Sequence, residues 1–204
     1  MFITFEGGEG AGKSTQARLL TEAMAAAGSA VLCTREPGGA PGAEILRGLL
    51  LSREHDWSPS AEVYLHFAAR AEHVARTIQP ALVRGDTVIS DRFADSTMAY
   101  QGYGLGADRA LIAALSRLLP IQPDLTVMLD VSPAVAANRM AGRRQALDRY
   151  EAMGPAFHAR VAEGFAAIAA AEPDRCAVIS ADGGADEVHR AVLAVVASRQ
   201  PGPA

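Results

Sequence analysis

The residues best equipped for chemistry crowd first at the N-terminus, in Gly7-Gly8-Glu9-Gly10-Ala11-Gly12-Lys13-Ser14 followed by Thr15. A glycine, four residues, Gly-Lys and a hydroxyl residue make the pattern of a phosphate-binding loop. The flanks fit it: Phe2-Ile3-Thr4-Phe5 reads as an apolar strand leading in, and Ser14 to Ala27 as a helix leading out. Glycines take positive φ at no steric cost, so the loop can turn its N–H groups toward one anion. The helix that follows presents the positive end of its dipole to the same point. Lys13 is spaced to reach the outer phosphates of a nucleoside triphosphate, and the Ser14 hydroxyl to ligate Mg²⁺.

Further cations recur along the chain at Arg35, Arg47, Arg70 and Arg92 and then cluster between Arg139 and Arg149. Yet the whole is acidic, with 19 Lys and Arg against 23 Asp and Glu and a formal net charge of −4. That balance argues against a nucleic-acid-coating protein and gives the clustered arginines to a local anion site. Phosphoryl transfer leaves a protein mainly positioning and charge stabilisation to supply. Transfer to another phosphate needs more fixed cations than transfer to a hydroxyl, because donor and acceptor repel. A switch GTPase would carry Asp-x-x-Gly and Asn-Lys-x-Asp after its strands; here those places read Asp91-Arg92-Phe93-Ala94 and Asp130-Val131. The residue set points to a small nucleotide kinase.

The elements that must position these residues alternate between strand and helix. The pattern predicts an α/β fold of the P-loop NTPase kind, a five-stranded parallel sheet with helices on both faces, as in nucleoside monophosphate kinases. Strands are predicted at 2–5, 30–34, 87–90, 125–130 and 176–180. Helices are predicted at 14–27 and 43–51, from an N-cap at Ser60 to Val83 with a kink at Pro80, and in a mixed stretch ending at Leu119. Three more are predicted from Ser132-Pro133, at 150–171 and at 187–198. Charged residues sit at the carboxyl ends of strands, where open α/β sheets bind ligands: Arg35-Glu36, Asp91-Arg92 and Asp130. A chain of 204 residues suits one domain, here 1–199, with a flexible tail at 200–204. Cys33 and Cys176 each lie in an apolar run and read as free core thiols. No signal pattern or apolar run of membrane-spanning length occurs, so a cytoplasmic location without a membrane partner is expected.

At this point a resemblance becomes specific. From Phe2 to about Ser198 the chain resembles bacterial thymidylate kinase, on Phe5-Glu6-Gly7-Gly8-Glu9-Gly10-Ala11-Gly12-Lys13-Ser14, Thr34-Arg35-Glu36-Pro37-Gly38-Gly39 and Phe67-Ala68-Ala69-Arg70. Further on it rests on Asp91-Arg92-Phe93, Ser96-Thr97-Met98-Ala99-Tyr100-Gln101-Gly102, Pro123-Asp124-Leu125-Thr126 and Leu147-Asp148-Arg149, in matching order. The resemblance implies transfer of the ATP γ-phosphate to dTMP with Mg²⁺, by a homodimer packed through its long helices. It implies that Lys13 and the loop amides hold the ATP phosphates. It places Ser14, Asp91 and Glu36 around the metal, partly through water, and Glu9 near the acceptor. Arg47 and Arg92 would grip the dTMP phosphate, Arg70 would donate to a thymine carbonyl, and Gln101 would read the base edge. Thr97 would lie near the 5-methyl and Tyr100 near the sugar. Arg139 would contact the adenine or the ATP phosphates.

Two features refine the resemblance, the first marking a type of the family and the second a departure from its usual pattern. Loop positions 8–11 carry no arginine, so a catalytic cation would come from a mobile lid at about 139–150, with Arg144 the first choice and Arg143 and Arg149 as alternatives. The phenylalanine that stacks on thymine is usually four residues before the base-reading arginine; here that place is His66, with Phe67 one residue later and turned by about 100° on the helix. Either ring could serve. The competing readings are a deoxynucleoside kinase or another nucleoside monophosphate kinase, and a regulatory phosphate-loop ATPase that binds a protein partner.

Overall fold

Phe2–Glu6 (β1) is buried along its whole length, as a central strand of a parallel sheet must be, and the rest of the structure is built around it. The structure, a computed structural model, describes residues 1–142 and 148–199. Val31–Arg35 (β2), Thr87–Asp91 (β3), Leu125–Asp130 (β4) and Cys176–Ser180 (β5) complete a sheet of order β2-β3-β1-β4-β5. Every pairing is parallel; β1 aligns Phe5 with Asp91 on one side and with Val127 on the other. Successive strands are laid first to one side of β1 and then to the other, which opens a crevice beyond its carboxyl end.

Lys13–Ala26 (α1) and Ala185–Arg199 (α9) cover one face, where Leu20, Val188 and Val192 pack on Ile3, Phe5 and Val127. On the other face Gln79–Val83 (α4) and Ala94–Thr97 (α5) pack on Phe2 and Val88, Pro59–His73 (α3) lies against Pro41–Leu51 (α2) and Arg109–Arg117 (α6), and Pro155–Ala171 (α8) completes the layer; Pro133–Ala141 (α7) follows β4. There Phe157, Val161 and Phe165 of α8 meet Tyr100 and Met128. Among the described residues no helix is long and apolar enough to cross a membrane.

Five sequence expectations are corrected by the structure. The long helix is capped by Ser58, whose hydroxyl accepts from Ala61 N at 3.4 Å, and not by Ser60; Pro59 takes the first helical position, where its missing N–H costs nothing. That helix does not run to a kink at Pro80 but passes into a π-helical turn, Val74–Ile78, before α4. The mixed stretch resolves into α5, a second π-helical segment, Met98–Gly104, and α6. Residues 150–153 form turns, because Gly154-Pro155 sets the start of α8. Both cysteines lie on edge strands of the sheet, but Cys176 of β5 is buried in the cluster of Met128, Phe165 and Ile168, whereas Cys33 of β2 joins no hydrophobic cluster among the described residues and is exposed. The 200–204 tail and Arg143 and Arg144 of the predicted lid lie outside the described residues.

Candidate active site

The loop after β1 turns on three glycines at positive φ: Gly7 (137°), Gly10 (72°) and Gly12 (89°). A Cβ on Gly7 would run into the Leu129 carbonyl, and one on Gly10 would lie 2.8 Å from the Ala136 oxygen, so both positions need glycine for space as well as for φ. The Lys13 ammonium is tucked under the loop and donates to Gly8 O at 2.7 Å. Burial, and then the nearby Arg92 charge, bring its pKa from 10.5 down to about 8. The Ser14 hydroxyl donates to Asp91 Oδ2, which joins the loop to the end of β3. Arg139 braces the loop from α7, donating to Gly10 O at 3.2 Å and to Gly183 O at 2.9 Å.

Arg92 follows β3 in a left-handed conformation, φ 73°, which is costly for a residue with a side chain. Its surroundings hold it there. Arg92 N donates to Phe5 O at 2.9 Å and Ser90 Oγ to Arg92 O at 2.8 Å. The guanidinium donates to Gly7 O (3.2 Å), Ser96 Oγ (3.0 Å), Glu9 (2.6 Å) and Tyr100 OH (3.0 Å), and its carbon lies 4.8 Å from the centre of the Tyr100 ring. Beneath it Glu6, wholly buried, accepts from Phe93 N at 2.7 Å and pairs with Ser96 Oγ at 2.5 Å. Burial, and then Asp95, push the Glu6 carboxyl up to about 8. The strained turn therefore fixes a cation beside the phosphate loop.

From there a cavity of about 440 Å³ runs toward α3, within the size range of small-ligand sites. At its far end α3 presents His66 and Arg70, one turn apart. Arg70 is buried and donates to Glu36 (2.7 Å), Phe93 O (3.0 Å) and Thr97 Oγ1 (3.0 Å), while its Nη1 has no partner among the described residues. Glu36 is held from behind by His73, whose ring bridges Glu36 (3.0 Å) and Thr34 (2.7 Å). Gln101 donates through Nε2 to Glu62 (3.3 Å) and Tyr150 OH (3.1 Å), while its buried Oε1 has no partner among the described residues. His66 is buried, and burial followed by the Arg70 and Arg92 charges drops its pKa from 6.5 to about 3, which leaves a neutral ring near neutral pH. Arg47 also reaches the cavity, donating to Pro37 O at 2.6 Å.

The structure thus brings Glu9, Gly10, Gly12, Lys13, Ser14, Thr15, Glu36, Arg47, His66, Arg70, Asp91, Arg92, Thr97, Tyr100 and Gln101 to one cavity. Phe67 is elsewhere: it packs on Val63, Ala107 and Ile112, because one residue along α3 turns it into the core. Arg149 faces Glu62 at 2.6 Å and Asp56 at 3.6 Å and does not line the cavity. Sequence reasoning missed Glu62, His73 and Tyr150. A signal existed for the first: Glu62, His66 and Arg70 recur every four residues, a polar stripe on a helix whose other buried positions are mainly apolar. Tyr150 meets them from a turn 84 residues beyond His66, which no local spacing reveals.

A parallel sheet with this loop at its centre, facing an arginine-lined pocket that offers both a donor and an acceptor, defines a phosphate-loop nucleotide kinase. Comparison narrows the class. A family model described as "Thymidylate kinase" matches residues 5–192. The chain is 50% identical over 200 residues to the thymidylate kinase of Gluconobacter oxydans, covering 96% of this chain and 94% of that one. It is 51% identical over 201 residues to the enzyme of Caulobacter vibrioides, covering 97% and 96%. The crystal structure of thymidylate kinase from Ehrlichia chaffeensis superposes with a TM-score of 0.79 at 37% identity, over 96% of this chain and 98% of that one. The chain belongs to the thymidylate kinase family.

Proposed function

We propose that this chain transfers the γ-phosphoryl group of ATP to dTMP, giving dTDP and ADP, a step toward dTTP. One observation carries the reading: Lys13 and Arg92 stand at the phosphate loop, and the same cavity ends at an Arg70 donor and a Gln101 acceptor that have no partner among the described residues. That pair is complementary to a thymine carbonyl and its neighbouring ring N–H. In the transfer a non-bridging oxygen of the dTMP phosphate attacks the γ-phosphorus, the bond to the β-bridging oxygen breaks, and its electron pair leaves with ADP. Lys13 and the loop amides hold the donor phosphates. Arg92, with Arg47, holds the acceptor phosphate against their repulsion. Thr97 packs near the 5-methyl, Tyr100 near the sugar, and His66, as a neutral ring on the cavity wall, on the base.

Ser14 and Asp91 offer a hydroxyl and a carboxylate oxygen side by side, the hard donor set that Mg²⁺ takes alongside phosphate oxygens and water. Mg²⁺ bound there would neutralise charge on the β- and γ-oxygens. Both Glu36 oxygens already serve Arg70 and His73, so we assign Glu36 to positioning Arg70. For the lid, Arg144 remains the first choice and Arg143 the alternative, since Arg149 is engaged by Glu62. Ile45 and Leu49 on α2 and Tyr64 on α3 are exposed apolar side chains on helices packed together, the surface we assign to a homodimer contact. We assign the enzyme to the cytoplasm.

The test is ADP release with ATP, Mg²⁺ and each of dTMP, dUMP, dCMP and thymidine. Release fastest with dTMP is expected. Faster release with thymidine would make the chain a nucleoside kinase, and ATP turnover indifferent to any acceptor would make it a regulatory ATPase.

A further inference from the structure

Gln101 can read a pyrimidine in either of two ways, because its amide presents a carbonyl or an amino group depending on which way it is turned. With the carbonyl forward it accepts from the ring N–H of thymine. Turned over, it would donate to the bare ring nitrogen of cytosine. The surrounding groups decide between these states. Gln101 Nε2 faces two oxygens, Glu62 Oε2 at 3.3 Å and Tyr150 OH at 3.1 Å. Tyr150 OH lies 3.1 Å from Glu62 Oε2 and 3.2 Å from His66 Nε2; given to either, its single proton is not offered to Gln101, toward which the hydroxyl accepts. Burial, and then the Glu62 carboxylate, hold the phenol well above its ordinary pKa, so that proton stays on. Glu62 is wholly buried and ion-paired with Arg149 at 2.6 Å. A reversed amide would set Gln101 Oε1 against two groups that cannot donate to it, in a buried place where such a mismatch is costly.

We infer that Glu62, with Tyr150, is a specificity-positioning residue that locks the Gln101 amide with its carbonyl forward and so makes the pocket select thymine over cytosine. Neither residue need touch the substrate for this. Arg70 acts in the same sense at the next base position, since its free Nη1 can donate to a carbonyl but not to an amino group. The inference rests on the proposed role of Gln101 as a base reader, and the test separates the two.

The measurement is the ratio of kcat/KM for dTMP to that for dCMP, with the KM for ATP and the melting temperature followed alongside. Glu62→Gln gives Gln101 a neighbour that can itself turn over and donate. It is expected to lower the ratio by about tenfold or more, the worth of one mismatched hydrogen bond, with the KM for ATP unchanged. Tyr150→Phe keeps the Glu62–Arg149 pair, removes one of the two acceptors, and is expected to lower the ratio several-fold; it decides the matter should Glu62→Gln fail to fold. Gln101→Ala is the control. If it collapses the ratio while folded Glu62→Gln and Tyr150→Phe preserve it, the amide lock is wrong and the base-reading role survives. If Gln101→Ala itself leaves the ratio intact, Gln101 does not read the base and the inference falls with that role. A general loss of packing would lower both kcat/KM values together and leave their ratio in place, which also overturns it.

Discussion

Replacing Arg70 by alanine removes two things at once, and the structure allows them to be weighed separately. The first is structural. Arg70 neutralises Glu36, which is 5% exposed and would keep only the His73 contact. Stranding a buried carboxylate by removing its partner costs about 3–5 kcal/mol. The guanidinium also lies 4.8 Å from the Phe67 ring centre and 5.3 Å from that of Phe93, contacts worth about 0.5–1 kcal/mol each. Together these come to about 4–7 kcal/mol, and for a chain of this size each kcal/mol moves the melting temperature by roughly 2–4 °C, so a fall of about 8–28 °C is expected. The second loss is the free Nη1 donor. A hydrogen bond from a charged group contributes about 1.5–3 kcal/mol, which corresponds to a rise in the dTMP KM of on the order of 10- to 100-fold. A second substitution separates the terms: Glu36→Gln in the Arg70→Ala background removes the stranded charge. It should recover much of the melting temperature and none of the KM. Calorimetry and steady-state kinetics on the wild type and both variants suffice. A melting temperature within about 2 °C of wild type for Arg70→Ala, or an unchanged dTMP KM, refutes the reasoning.

Three further outcomes are expected. Lys13 has a pKa of about 8 in the free enzyme, so kcat/KM for ATP should fall as pH rises through that value, while kcat at saturating ATP stays flat because bound phosphates keep the ammonium protonated; a level kcat/KM profile to pH ~9 would remove Lys13 from phosphate binding. Glu6 holds its proton more tightly folded than unfolded, so its contribution to stability is full below about pH 4.5 and is lost as pH rises through about 8; Glu6→Gln, which mimics the protonated group, should flatten the wild-type decline in melting temperature over that window, and parallel curves would count against it. Arg144→Ala should lower kcat more than either KM, and an intact kcat would pass the lid role to Arg143.

Much of the fold was legible because its signals are local. A strand buried on both faces writes itself as a largely apolar run, and Leu125–Asp130 appears at the predicted bounds, as does the edge strand Cys176–Ser180. Errors came where two local signals compete. Ser58 and Ser60 both offer a cap, and only the intervening Pro59 favours the first. Cys33 and Cys176 both lie in apolar runs on edge strands, yet burial depends on which helices cover each side chain, and that is set by long-range packing. The phosphate loop was readable for the same reason as the strands, since its glycines and lysine are consecutive. The base end was readable only in part. His66 and Arg70 share a helix turn, but Glu36, Gln101 and Tyr150 reach them from three other segments. Partners such as His73 have no signature beyond being polar on a buried face.

The way the arginines are held bears on how the site can act on charge. Arg92 meets Glu9, Arg70 meets Glu36 and Arg149 meets Glu62, so each of these guanidiniums is oriented before any nucleotide arrives. Pre-orientation of this kind is what allows fixed charge to stabilise a transition state without reorganisation at the moment of reaction. It has a consequence at Arg92. Each of its two terminal nitrogens already donates twice, one to Gly7 O and Ser96 Oγ and the other to Glu9 and Tyr100 OH. A phosphate gripped by those nitrogens must therefore displace one of these acceptors. Gly7 O and Ser96 belong to the scaffold that holds the strained turn, which leaves the Glu9–Tyr100 side to yield. On the proposed role of Arg92, Glu9 keeps the guanidinium in register and would be the anion that an acceptor phosphate displaces. Such an exchange would lower the net affinity for dTMP, while the Glu9 pair keeps a largely buried guanidinium from standing unpaired where desolvation is costly.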